Sequence, residues 1–171
     1  GALRRTASGH RGMRAFGGGR MSLTRGLFTS DKDNWETPQT LFDYLDSVYH
    51  FTLDAASSDA NAKCEHHLTS EDDALHCSWR GERVFLNPPY GRQIAAWVEK
   101  AAQEAAHGTP IVMLLPARTD TSWFHDYIYH EAHIAFLRGR LKFEVNGVPS
   151  GPAPFPSMLA AFNCELSEVV E

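Results

Sequence analysis

The sequence predicts an α/β domain of three layers, built on a mostly parallel sheet with a terminal antiparallel hairpin. From residue 31 onward, short apolar runs alternate with segments of helical period, the pattern of βαβ units. Several runs stop at Pro or Gly, which marks where strand gives way to turn. The 171 residues, 43% of them hydrophobic, suffice for one domain around one core.

The elements follow in order. Thr37-Pro38 has the form of a helix N-cap with proline at the first helical position, and Leu41, Phe42, Leu45 and Val48 follow at helical spacing. Phe51-Thr52-Leu53-Asp54 reads as a short strand ending in an acid, with Ala55-Ala56-Ser57-Ser58 after it. Residues 59–82 are polar and irregular. Val84-Phe85-Leu86 is a buried-strand run that stops at Asn87-Pro88-Pro89-Tyr90-Gly91. A helix is expected from about Ile94 to Ala106, with Ile94, Trp97, Val98, Ala101 and Ala105 on its inner face. Gly108 and Pro110 end it, and the fully apolar Ile111–Leu115 run is a strand closed by Pro116. A second helix over residues 120–130 and a strand at Ile134–Leu137 repeat the pattern. Arg140–Val145 alternates like an antiparallel strand, residues 147–156 form a Pro/Gly-rich loop, and Met158–Phe162 is the last strand.

Charge divides the chain. Residues 1–30 hold six arginines and no acid, a balance of +6, whereas residues 31–171 hold 10 basic and 21 acidic residues, a balance of −11. The first segment also carries Gly17-Gly18-Gly19 and few aliphatic residues, so it is expected to be a disordered tail, 1–30, ahead of a domain over 31–171. Such a tail could hold nucleic-acid phosphates. It also reads as non-native sequence ahead of a start at Met13 or Met21, with Gly1-Ala2 as a protease scar.

Composition excludes several classes. A charged fraction of 22% with this hydrophobic content excludes a fully disordered chain. No apolar run approaches the roughly 20 residues that cross a bilayer. Three cysteines are an odd number and too few for a disulfide scaffold, and the basic N-terminus lacks the apolar stretch of a signal peptide. A cytoplasmic protein with reduced thiols is expected. Cys64, His66 and His67 with His76 and Cys77 are zinc-type ligands, but their spacing matches no common site, so no metal is expected.

Chemistry is expected where parallel strands end, since ligands of open α/β sheets bind beyond the carboxyl ends of the strands. Two strand ends are unusual here: Asp54, followed by small residues, and Asn87-Pro88-Pro89-Tyr90. Two consecutive prolines fix a rigid turn that holds an amide, a carbonyl and a ring in place.

Asn-Pro-Pro-Tyr after an apolar strand resembles the catalytic turn of amino-methyltransferases, which use S-adenosylmethionine. An ordered set narrows the match: Trp35-Glu36-Thr37-Pro38, Leu41-Phe42, Leu53–Ser57, Asn61-Ala62, Asn87–Tyr90, Leu115–Arg118 and Gly139–Phe143. Together they resemble the phage-type (Dam-like) DNA N6-adenine methyltransferase family over about Asp33 to Phe162. The resemblance implies a Rossmann-like S-adenosylmethionine methyltransferase fold and methylation of adenine N6 in DNA, in the host bacterial cytoplasm if phage-encoded, as protection against restriction.

The same resemblance implies site residues. Asn87, Pro88, Pro89 and Tyr90 match the catalytic turn. Trp35, Thr37 and Pro38 match a segment over the cofactor, and Asp54 with Ala55, Ala56 and Ser57 matches the end of the first cofactor strand. Ala55-Ala56-Ser57 stands where a Gly-x-Gly element is common. Asp72 or Asp73 falls where an acid meets the cofactor's adenine, and Asn87 also borders the cofactor. The partner implied is double-stranded DNA with the target adenine flipped out. Tyr90 is expected to stack on that base, and Arg92, Arg118 and Arg140 to reach phosphates.

The residue chemistry agrees. An exocyclic adenine amine is a poor nucleophile, because its lone pair is delocalised into the ring. The Asn87 oxygen and the Pro88 carbonyl would both accept from it, and more strongly as positive charge develops. The same turn occurs in enzymes that methylate RNA bases or protein glutamine, and a non-catalytic nucleic-acid-binding module is a different class again. The acidic body argues for those alternatives. Sequence recognition would fall to the loops 59–82, 118–122 and 147–157.

Overall fold

The computed structural model describes residues 34–166. The expected tail at 1–30 lies outside the described residues. Among the described residues there are two α-helices, α1 (Gln39–Tyr49) and α2 (Ile94–Ala105), and seven strands. The strands are β1 (Leu53–Asp54), β2 (Val84–Leu86), β3 (Ile111–Pro116), β4 (His133–Phe136), β5 (Glu144–Val145), β6 (Val148–Pro149) and β7 (Ser157–Phe162). Among the described residues, no helix is long and apolar enough to cross a membrane.

Five strands form one sheet in the order β1-β2-β3-β7-β4. β1, β2 and β3 pair in parallel, whereas β7 runs antiparallel to both β3 and β4, so β4 points the same way as the first three. The mixed α/β sheet, parallel-leaning, is consistent with a methyltransferase-like fold.

The expected terminal hairpin is corrected. β7 does not close the sheet edge against 140–145. It is inserted between β3 and β4, with Ile111 opposite Phe162 and His133 opposite Ala161. All six of its residues are buried, and Ser-Met-Leu-Ala-Ala-Phe carries no charge, so both faces can be covered. The alternating segment before it cannot be covered that way. Only Glu144–Val145 becomes strand, and it pairs with Val148–Pro149 in a separate two-stranded ribbon. Its two-residue turn, Asn146-Gly147, holds both residues at positive φ (52° and 79°), as the primed hairpin turns require.

The core lies along β3 and β7, whose residues are buried throughout. α1 covers the sheet with Phe42 and Leu45, and the Phe42 ring meets Phe85 of β2 edge-on at 5.2 Å. α1 ends where His50 turns left-handed (φ 52°) and Asp46 accepts from the Phe51 amide at 2.8 Å. The helix expected over 120–130 is shorter. It is a π-helical turn at Phe124–Ile128, closed by Tyr129 N–H on the Phe124 carbonyl at 2.8 Å.

The N-terminus of α1 also departs from expectation. Pro38 takes the N-cap position, and Thr37, buried at 3% exposure, gives no cap. The Gln39 amide instead donates to Glu144 Oε1 at 2.8 Å. A carboxylate from the β5–β6 ribbon thus meets the positive end of the helix.

Candidate active site

β1 and β2 are parallel neighbours, with Asp54 opposite Phe85, so Asp54 and Asn87 emerge side by side at one edge of the sheet. A cavity of about 940 Å³ opens there, toward the upper end of the range for small-molecule sites. Its walls include Trp35 and Thr37, Asp54 with Ala56 and Ser57, Asp73–Leu75, the Asn87-Pro88-Pro89 turn, Gln93 at the N-cap of α2 and Trp97 within it, and Glu144–Asn146 of the ribbon.

Asn87 is the most constrained of these. Its Nδ2 donates to the Trp35 carbonyl at 2.5 Å and to Thr37 Oγ1 at 3.0 Å. A carbonyl can only accept, so the carboxamide has one consistent orientation. That orientation leaves Oδ1 buried with no donor. A buried acceptor without a partner is costly and uncommon, and here it belongs to a side chain on the cavity wall.

The segment 35–37 that holds Asn87 is itself clamped. Glu36 pairs with Glu144 as an antiparallel bridge, and its carboxylate accepts from the Asn146 and Gly147 amides at 3.2 and 3.3 Å. Behind it stands an aromatic cluster: Trp35 meets Phe143 at 5.5 Å and Phe155 at 5.1 Å.

Tyr90 belongs to that cluster and does not line the cavity. Its ring is 3% exposed, edge-on to Phe143 at 6.1 Å and Phe155 at 5.6 Å, and its hydroxyl donates to the Leu114 carbonyl at 3.0 Å. Burial raises its hydroxyl well above the ordinary phenol range. The ring expected to face a base therefore packs behind the turn, because two phenyl neighbours and a carbonyl satisfy it there.

Asp54 is 3% exposed, and its carboxylate accepts from the Lys63 amide at 2.9 Å and the Ala56 amide at 3.4 Å. Burial pushes its pKa up to about 6, against the lowering effect of those amides, His67 and Lys63. Asp73, not Asp72, reaches the cavity wall. Asp73 holds a left-handed backbone (φ 51°) and pairs with His76 at 2.8 Å. Asp72 instead closes its own loop on Thr69, whose amide and hydroxyl hold its carboxyl below the usual range.

The remaining expected residues stand off the cavity. Ala55 is fully buried, and its amide donates to the Phe85 carbonyl at 3.1 Å. Pro38 sits at the start of α1. Arg92, Arg118 and Arg140 are exposed and line no part of the cavity. They follow β2, β3 and β4, strands that point the same way, so all three lie beyond the sheet edge where the cavity opens.

Sequence reasoning missed Gln93, Trp97, Lys63, Glu36 and Glu144. The helix face predicts Trp97 in the core, and it packs there, partly buried, while also lining the cavity. The available signal was the i, i+4 spacing of Gln93 and Trp97 directly after the Pro-Pro turn. Among the described residues, no group of three or more His, Cys, Asp or Glu could hold a metal. His66 is on Glu82, His67 on Asp59 and His76 on Asp73.

The family model for DNA N-6-adenine-methyltransferases (Dam) matches residues 25–156. The chain belongs to this family. The Dam match takes in the 35–37 segment, Asp54 and the Asn87–Tyr90 turn. The DNA N-6-adenine-methyltransferase of Escherichia phage T1 is 35% identical over 127 residues, 72% of this chain and 53% of the relative. That of Haemophilus phage HP1 is 30% identical over 138 residues, 78% of this chain and 80% of the relative. This Dam-family chain thus spans about half of the first relative's length and four-fifths of the second's.

Proposed function

We propose that the chain methylates N6 of adenine in DNA with S-adenosylmethionine, on a Rossmann-like methyltransferase fold acting in the cytoplasm. The observation that carries this reading is the orphaned Oδ1 of Asn87, an acceptor fixed at a cavity wall with its amide nitrogen already engaged. An exocyclic amine is a donor that fits it.

The cavity suits the cofactor. Four acids line it (Glu36, Asp54, Asp73, Glu144) against one lysine, Lys63. That field favours a cationic ligand and disfavours a phosphate-bearing one. Asp54 is the partner for the cofactor's cationic methionine end, Ala56 and Ser57 allow close approach to the backbone, and Asp73 is the acceptor for its adenine amine. When bound there, S-adenosylmethionine supplies an electrophilic methyl group on a sulfonium.

The chain's own part is orientation. Asn87 Oδ1 and the Pro88 carbonyl accept the two N–H bonds of the flipped adenine and favour a tetrahedral nitrogen. Both hydrogen bonds strengthen as positive charge develops on N6, which is selective stabilisation of the transition state. Pro89 and Trp97 are among the apolar surfaces that the cavity offers a base, while Tyr90 supports the turn from behind. Because the lining is acidic, only the base enters. The DNA phosphates stay outside, where Arg92, Arg118 and Arg140 stand, and the protection of phage DNA from restriction is the matching role.

The test is sequencing that reads N6-methyladenine in DNA from cells expressing the protein, with Asn87→Ala and empty-vector controls. Adenine methylation only with the intact protein supports the reading. Unmodified adenine in all three samples rejects it.

A further inference from the structure

Lys100 and Glu104 stand one turn apart on α2, 9% and 6% exposed, on a face otherwise filled by Ile94, Val98 and Ala101. A buried ion pair is poor evidence of stability in itself, because desolvation offsets its attraction. What distinguishes this pair is where its remaining hydrogen bonds go. Lys100 Nζ donates to Glu104 Oε1 and to the Cys77 carbonyl, both at 2.6 Å. Glu104 Oε2 accepts from the Trp79 amide at 3.0 Å. Trp79, fully buried, donates its indole N–H to the Ala74 carbonyl at 3.1 Å and lies 5.4 Å beneath the Lys100 ammonium.

Two of these hydrogen bonds, Lys100 to the Cys77 carbonyl and the Trp79 amide to Glu104, bind one segment, 74–79, to one helix, and the Trp79 indole fastens that segment to itself at Ala74. The segment has no helix or strand of its own, so it lacks a backbone ladder to fix its position. It leads from Asp73, Ala74 and Leu75 on the cavity wall, and α2 contributes Trp97, with Gln93 at its N-cap, to the same cavity. Lys100 and Glu104 line no part of it.

We infer that the Lys100–Glu104 pair is a latch that sets the position of the Asp73–Leu75 wall against α2, and so governs affinity for the cofactor without touching it. These are positioning residues. The inference rests on the reading of Asp73 as a cofactor partner.

The experiment compares the wild type, Lys100→Met/Glu104→Leu and Glu104→Gln. Binding of S-adenosylhomocysteine is measured by calorimetry, KM and kcat by steady-state methylation, and opening of 74–79 by amide hydrogen exchange. Apolar replacement of a whole buried pair is often neutral for stability, so the double variant should melt near the wild type. Its Kd for S-adenosylhomocysteine and KM for S-adenosylmethionine should rise about tenfold, with kcat and the KM for DNA nearly unchanged and faster exchange at 74–79. Glu104→Gln keeps an acceptor for the Trp79 amide and should fall between the two.

A folded double variant with wild-type Kd overturns the latch. So does an equal loss in kcat and in both KM values, which marks general disruption. If the double variant does not fold, Glu104→Gln decides: faster exchange at 74–79 with unchanged Kd overturns it. Wild-type protein that binds no S-adenosylhomocysteine overturns the functional reading first, and the latch's role with it.

Discussion

The amide nitrogen of Asn87 lies 2.5 Å from the carbonyl oxygen of Trp35, a residue 52 positions earlier in the chain. This contact, with the second one to Thr37 Oγ1 at 3.0 Å, turns the Asn87 oxygen into the free acceptor of the pair. The Asn87–Tyr90 turn is thus oriented by a segment outside it, and that segment is fastened to the β5–β6 ribbon through Glu36 and Glu144.

Asn87→Ala should lower the rate of methyl transfer by about 10²–10³, the usual effect of losing one preorganised electrostatic contact. Affinity for S-adenosylhomocysteine should stay within a few-fold, because the side chain is assigned to the amine. Single-turnover transfer of tritiated methyl groups to DNA measures the first, and calorimetry the second. Asn87→Asp is more informative. It keeps the acceptor but turns an oxygen toward the Trp35 carbonyl, so it should retain activity that increases as pH falls and the acid regains a proton to donate.

Thr37→Val should slow transfer by roughly fivefold, since one hydrogen bond of about 1 kcal/mol holding the carboxamide is lost. Thr37→Ser, which keeps the hydroxyl, should restore most of the rate. Equal rates in Val and Ser variants would show that Trp35 alone orients Asn87.

Asp54 titrates near 6 in the ligand-free fold, and two consequences follow with opposite signs. Binding of a cationic cofactor needs the carboxylate, so affinity should fall about tenfold per pH unit below about 6, and Asp54→Asn should be weak and flat across that range. Stability moves the other way. The unfolded chain gives up this proton at the ordinary value of 3.8, so the fold holds it more tightly and loses stability as pH rises from about 4 to about 6. Asp54→Asn should therefore melt higher than the wild type at pH 8 without ligand, an advantage that vanishes at pH 4. Calorimetric scans at the two pH values check this.

Much of the fold was legible because its signals are local. Apolar runs bounded by Pro and Gly located β2, β3 and β7, and the Pro-Pro turn and Asp54 marked the sheet edge where the cavity opens. The insertion of β7 was not legible, since an uncharged six-residue run says that both faces are covered but not which strands cover them. The roles of Thr37, Glu36 and Glu144 were hidden for the same reason. Each bond joins residues 50 or more positions apart, and hydrophobic period carries no record of such pairings. Trp97 packs against the core as its helix face predicts, and its second role on the cavity wall was hidden because helical period does not say where the core ends and a cavity begins.

Tyr90 gives the sharpest remaining test, because sequence and structure place its ring differently. Packed against Phe143 and Phe155, with its hydroxyl on the Leu114 carbonyl, it joins the Asn87–Tyr90 turn to β3 and to the segment that carries the ribbon. Tyr90→Phe keeps the ring and loses one buried hydrogen bond, at a cost of about 1 kcal/mol. It should melt a few degrees lower and transfer methyl groups at nearly the wild-type rate. Tyr90→Ala leaves a hole in the cluster, a change that typically costs about 3–5 kcal/mol for a buried aromatic ring. It should lose stability first, and whatever folded protein remains should bind DNA as the wild type does, since no base rests on the ring. A Tyr90→Ala variant that melts normally but fails to hold a flipped base, read by the fluorescence of 2-aminopurine at the target position, would return the ring to the cavity and give it the stacking role that its position in the turn first suggested.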